Sequence, residues 1–197
     1  QGDSITDCHR NRTDINNLGL GYPLLVASMF SAFYPKHRVD FINKGISGDR
    51  TEDLVKRWQQ DCIELKPDYV SIMIGINDVW RRYDENNPTS LESFTNNYRI
   101  ILDRIVTDLK AKIIILEPFL LHTPKDRLLW REDLDPKRKA LGELVKEYNT
   151  IYIPMDEIFQ KAALQREPSF WCHDGVHPTH AGHGLIAKHW LEAVKAQ

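Results

Sequence analysis

Tyr69-Val70-Ser71-Ile72-Met73-Ile74-Gly75 decides how this chain folds. The run is short, β-branched and apolar, without the polar alternation of a half-exposed strand. It therefore predicts a strand buried on both faces. Lys112-Ile113-Ile114-Ile115-Leu116-Glu117, stopped by Pro118, repeats the pattern. Thr150-Ile151-Tyr152-Ile153, stopped by Pro154, and Val39-Asp40-Phe41-Ile42 read as two further strands. Helical patterns lie between them. Tyr22 to Tyr34 is apolar enough to pack, and Thr51 caps a helix with Glu52 and Asp53 in its first turn. Leu91 to Lys110 carries Phe94, Tyr98, Ile101, Leu102 and Ile105 at helical spacing. Asp135 to Tyr148 opens with Pro136 just inside its cap, and Thr179 to Lys195 closes the chain. Strand and helix alternate throughout, which argues for an α/β fold, a parallel sheet covered by helices.

Composition narrows the function. The 197 residues are 42% hydrophobic and 27% charged, with a formal net charge of −2, an ordinary globular balance that suggests neither a nucleic-acid partner nor a disordered chain. No apolar run approaches the roughly 20 residues that cross a bilayer, so no membrane partner is expected. No repeat or linker divides the chain, and residues 1–197 read as a single domain. Cys8, Cys62 and Cys172 are odd in number and far apart, which favours a reducing, cytoplasmic compartment over a disulfide framework.

Four short segments carry chemistry. Gly2-Asp3-Ser4-Ile5-Thr6 places a serine at a turn into a helix, where its hydroxyl becomes a nucleophile if a base reaches it. Asp174-Gly175-Val176-His177-Pro178 offers an imidazole base and a carboxylate to orient it. Gly75-Ile76-Asn77-Asp78 sets an amide donor at the carboxyl end of a strand, where ligand sites of open parallel sheets lie. Asn43-Lys44-Gly45-Ile46-Ser47-Gly48-Asp49 brings a bare glycine N–H to a strand-to-helix junction. Each alone reads as well as a turn or a cap; the ordered set is what carries weight.

The GDSIT, GIND and DGVHP segments together resemble the SGNH hydrolases, or GDSL esterases, and Asn43–Leu54, Pro67–Arg81 and Asp174–Gly182 are similar to the family's acetylxylan-esterase-like branch. The resemblance spans nearly the whole chain. It implies a three-layer α/β/α sandwich on a five-stranded parallel sheet, with Ser4 as nucleophile, His177 as base and Asp174 orienting it. The oxyanion donors would be the Ser4 and Gly48 backbone N–H groups and the Asn77 side chain. It implies hydrolysis through an acyl-enzyme with no metal or organic cofactor, and homo-oligomers by analogy. In the family the Gly-Asp-Ser turn ends a buried first strand. Here only Gln1 precedes Gly2, so that strand is expected to be missing from a chain about a dozen residues longer or more, and no signal peptide can be assessed.

Asp3, Trp80, Tyr83 and Trp171 are the candidate substrate contacts, with Trp130 a further flat wall for sugar rings. The branch resembled carries a tryptophan immediately before the aspartate, whereas Cys172 and His173 separate Trp171 from Asp174 here. No insertion suggests a lid for fatty chains, so a small acyl group, most simply acetyl on a carbohydrate such as acetylated xylan, is the expected substrate. A short-chain carboxylesterase or lysophospholipase-type acylhydrolase is the alternative. A second class is a metal-binding hydrolase or module using Cys172, His173, Asp174, His177, His180 and His183, although their spacing matches no familiar zinc signature. A binding module with a dead site is the third reading.

Overall fold

The apolar runs assemble into a parallel sheet. The computed structural model describes residues 1–195. Tyr69–Ile72 (β1), Lys112–Leu116 (β2) and Ile151–Ile153 (β3) form its ladder, with β2 in the middle. Val70 pairs with Ile113 and Ile72 with Ile115; Ile114 pairs with Ile151 and Leu116 with Ile153.

The period of two along these strands builds two cores. Val70, Ile72, Ile113 and Ile115 point to one face, where they meet Leu54 and Trp58 of Thr51–Asp61 (α3), Phe94, Tyr98 and Ile101 of Leu91–Arg104 (α5), and Leu141 of Arg131–Glu147 (α6). Ile114, Leu116 and Ile153 point to the other, against Val26 of Tyr22–Phe33 (α2), Phe159 of Met155–Ala163 (α7) and Ile186 of His180–Lys195 (α9). Helices thus cover both faces, as a sheet with fully apolar strands requires. Each isoleucine buried in this way contributes about 1.5–3 kcal/mol. Short helices Ser4–Asp7 (α1), Ile76–Asp84 (α4) and Pro168–Trp171 (α8) lie at the connections.

The α/β/α class is as expected; the strand count differs. Three ladder strands are present among the described residues, not five. Gln1 and Gly2 run beside β1, joined by one bridge from Gly2 to Met73 and by the Met73 N–H donating to the Gln1 carbonyl at 3.0 Å. A Cβ at Gly2 would come within 2.4 Å of the Met73 carbonyl, so only glycine allows this approach. The Ile46 N–H reaches the Gly2 carbonyl from the outer side, at 3.0 Å. Val39–Ile42, expected as a strand, forms none: no backbone partner lies along it among the described residues, and Val39 and Ile42 are exposed.

Two helix starts also shift. Arg50, not Thr51, caps α3, and its N–H donates to Asp53. Helix α6 begins one turn ahead of Asp135, because buried Trp130 and an Arg131 side chain held by Asp156 fix that turn. Pro136 then lies inside the helix, where it forfeits one backbone bond. No described helix is long and apolar enough to cross a membrane.

Candidate active site

Ser4 is the first residue of α1, beside the carboxyl end of β1. Its Oγ lies 2.9 Å from Nε2 of His177. The other ring nitrogen, Nδ1, lies 2.8 Å from Oδ2 of Asp174, while Oδ1 of Asp174 accepts from the Val176 and His177 N–H groups at 3.0 and 2.8 Å. The loop bends so tightly because Gly175 has φ +86°, and a Cβ there would strike the Leu121 carbonyl at 2.4 Å. The Leu121 N–H donates back to the Gly175 carbonyl at 2.9 Å, tying the loop to the segment after β2.

The electrostatics follow from these contacts. The Asp174 hydrogen bond raises the His177 pKa above its ordinary 6.5, against burial, and the Asp3 charge adds to the rise. Burial disfavours the Asp174 charge, but its hydrogen bonds from His177 and Val176 outweigh that and hold the carboxyl below the usual range. A hydroxyl aligned on such an imidazole can lose its proton as its oxygen attacks an acyl carbon.

Three N–H donors are expected to serve the oxyanion, and each has a hydrogen to spare. The Ser4 and Gly48 N–H groups have no hydrogen-bond partner among the described residues. Gly48 has φ +90° with open space where a Cβ would stand, so its glycine serves the backbone conformation. Its loop is pinned on both sides: the Ser47 N–H donates to Asp7 at 2.9 Å and Arg57 donates to Asp49 at 2.8 Å. Asn77, buried on α4, donates one amide hydrogen to the Asp49 carbonyl at 2.9 Å. That bond orients the amide and leaves its second hydrogen free. Asp78 completes the clamp by accepting from the Thr51 N–H at 3.0 Å and the Thr51 hydroxyl at 2.7 Å.

The candidate substrate contacts divide. Trp80 stands beside the site, its ring centroid 5.6 Å from that of His177. Tyr83 lies one layer further out, stacked on Trp130 at 5.3 Å, with its hydroxyl donating to the Leu129 carbonyl. Asp3 is a correction. It is only 1% exposed, and its carboxylate accepts the Ile5 N–H at 3.0 Å as the cap of α1, so it cannot touch substrate. Burial pushes its carboxyl up to about 7, against the Ile5 hydrogen bond and the His177 charge. Trp171, partly buried, turns its indole N–H to the Ala162 carbonyl at 3.1 Å, toward the end of α7.

The ligand-type side chains of the His173–His183 segment do not converge. Among the described residues no three His, Cys, Asp or Glu side chains form a group able to hold a metal. His183 accepts the Tyr22 N–H through Nδ1 at 3.1 Å, and burial pushes its pKa down to about 4.

Arg127 went unnoticed in the sequence. Its guanidinium lies 4.0 Å from the Trp130 ring centroid and 5.3 Å from that of Trp80, and its Nε donates to the Asp174 carbonyl at 3.2 Å. It joins the tryptophan beside His177 to the loop that carries Asp174. Trp130 is in its own turn, but Trp80 and Asp174 come from distant segments that no local pattern announces.

An α/β/α sandwich bearing an aligned hydroxyl, imidazole and carboxylate defines a serine-type acyl hydrolase. The comparisons give the family. The model of the GDSL-like lipase/acylhydrolase family matches residues 1–185, and the chain belongs to that family. It is 34% identical to an acetylxylan esterase of Geobacillus stearothermophilus over 98% of this chain and 91% of the relative. The crystal structure of that organism's acetylxylan esterase Axe2 superposes with a TM-score of 0.88 at 33% identity, covering 98% of this chain and 90% of the other. A structure from Parabacteroides merdae described as a GDSL-like lipase superposes with a TM-score of 0.94 at 33% identity, covering 100% and 94%. The protein is a serine-dependent carboxylic ester hydrolase.

Proposed function

We propose that Ser4 is the nucleophile of a deacetylase acting on carbohydrate esters, such as acetylated xylan or xylo-oligosaccharides. His177 takes the Ser4 proton as Oγ attacks the acyl carbon. The negative charge gathers on the carbonyl oxygen, where the Ser4 N–H, the Gly48 N–H and the Asn77 amide stabilise it. Each such donor typically lowers the barrier by ~2.7–4 kcal/mol. As the C–O bond breaks, His177 returns the proton to the departing alcohol and leaves an acyl-Ser4 ester. Water, deprotonated by His177, then releases the acid and restores the serine.

The observation that carries this reading is the continuous contact from Ser4 Oγ through the His177 ring to Asp174, at 2.9 and 2.8 Å. An open cleft of about 810 Å³ beside Ser4 and His177 has room for a sugar ester. The acetyl and carbohydrate parts rest on the similarity to the acetylxylan esterase. A cytoplasmic, reducing setting belongs to the same proposal and is supported by three cysteines without disulfides. So does a homo-oligomer, for which Met29 and Phe33, exposed one turn apart on α2, are the support.

The test is a serine-directed organophosphate followed by mapping of the label, together with rates on acetylated xylo-oligosaccharides and on nitrophenyl esters from acetyl to decanoyl. The label is expected on Ser4 and the rate highest for acetyl. Label elsewhere removes Ser4 from its role, and a preference for long acyl chains replaces the deacetylase with a lysophospholipase-type enzyme.

A further inference from the structure

The cleft beside Ser4 has a wall that the hydrolytic machinery does not use. Arg10, Arg12 and Asp7 line it. Oδ2 of Asp7 accepts from Arg12 at 2.5 Å and from the Ser47 N–H at 2.9 Å, so its charge is already matched. Arg10 has no such match. Eleven other arginines form ion pairs with carboxylates, and apart from Arg10 only Arg38, which does not line the cleft, lacks one among the described residues. Arg10 is nevertheless held in place. Its Nε donates to the Gly45 carbonyl at 2.7 Å, and its two terminal nitrogens have no partner among the described residues. Burial lowers its pKa, against the attraction of the Asp7 and Asp61 charges nearby, neither of which forms an ion pair with it. A guanidinium fixed through Nε presents its remaining N–H groups as a planar fork, the geometry that pairs with a carboxylate.

We propose that Arg10 binds a carboxylate carried by the ester substrate, so that the enzyme favours negatively charged esters over neutral ones of the same size. This rests on the ester-hydrolase reading of the same cleft and narrows its substrate class. The carboxylate can sit on the alcohol side, as in a uronate sugar, or on the acyl side, as in a succinyl ester.

Two matched pairs of substrates distinguish these sources: acetylated galacturonate against acetylated galactose, and nitrophenyl succinate against nitrophenyl butyrate. In one pair kcat/KM is expected to favour the charged ester by about tenfold or more, the scale of one charge-assisted hydrogen bond, and the ratio should shrink at high salt. Arg10→Gln should bring that ratio close to one, and Arg10→Lys should restore part of it. Both wild-type ratios at or below one overturn the proposal, as does a ratio indifferent to Arg10→Gln. If Arg10→Gln does not fold, the wild-type ratios and their salt dependence decide. Calorimetry on Ser4→Ala protein with free galacturonate and free succinate separates this proposal from the catalytic one. Binding that disappears when Arg10→Gln is added supports the Arg10 site even if none of these esters is hydrolysed, in which case the ester-hydrolase reading fails alone. Absence of both binding and charge preference overturns the Arg10 site.

Discussion

Two clusters of ionisable side chains sit at the carboxyl ends of the strands, and they are built oppositely. Behind β2 and β3, Glu117 and Asp156 meet Arg131 and Arg138. Asp156 takes Arg131 in a two-pronged contact at 2.7 and 2.9 Å, Arg138 donates to Glu117 at 2.9 Å and lies 3.0 Å from Asp156, and the Leu120 N–H closes the set at 3.1 Å. Both carboxylates are buried, and every charge has an opposite. In the Ser4–His177–Asp174 cluster one carboxylate meets an imidazole whose side chain is 42% exposed. The first cluster holds the Glu117–Leu121 segment under the active-site loop. The second is arranged around an imidazole that must gain and lose a proton in the reaction proposed above. Similar residue types serve rigidity where charges balance within the protein, and reactivity where a proton is left to move.

Breaking each cluster should therefore fail in its own way. Ser4→Ala has the largest expected effect: kcat on nitrophenyl acetate should fall by about 10⁴-fold or more while the melting temperature stays near that of the wild type. An active Ser4→Ala enzyme would remove the distinction at once. Asp156→Asn is the mirror case. It leaves Arg131 and Arg138 short of a partner in a buried site, which should cost ~3–5 kcal/mol in urea unfolding while kcat per folded molecule is kept. Equal stability would place the buried cluster among dispensable contacts.

Asn77→Ala tests the edge between the two behaviours. Its amide is held by the Asp49 carbonyl with one hydrogen left over, the donor proposed above for the oxyanion, so kcat should drop ~10²–10³-fold with KM little changed. A rise in KM alone would make Asn77 a ground-state contact. Titration follows. The His177 pKa is raised by Asp174, so the neutral ring that can accept a proton predominates only above a value higher than 6.5. The rate kcat/KM should therefore fall about tenfold per unit on the acid side of that value, and a flat profile from pH 5 to 8 would deny His177 its role. Arg127→Gln carries the smallest effect. Freeing Trp80 and the Asp174 carbonyl should lower kcat a few-fold and displace the acid limb of the profile, whereas a purely structural Arg127 would change stability and leave that limb in place.

Much of this was legible in the sequence, and the part that was not has a common cause. Ile113 to Ile115 announce a strand with two buried faces because neighbouring side chains alone decide it. Ser4, Asp174 and His177 stand in short segments whose local turn chemistry is specific, and the fold joins the three through direct contacts. The contacts that depend on distant partners left no trace. Arg127 meets Trp80 and Asp174 from two distant segments, and Thr51, which reads as a helix cap, instead gives its hydroxyl to Asp78. Val39–Ile42 has strand composition without a neighbour to pair with. Asp3 sits inside the motif yet turns inward, because the N-terminus of α1 needs an acceptor.

Ser4 and His177 are 173 positions apart along the chain. At ~5–20 residues per second, a ribosome that has made Ser4 needs roughly ten to thirty-five seconds to reach His177. During synthesis the serine exists without its base, and no partial chain can attack an ester by the route proposed above. Esterase activity then reports a long-range closure of the fold, in which the loop before α9 meets α1. A refolding assay read by hydrolysis and one read by helix content should separate in time, with hydrolysis the later signal.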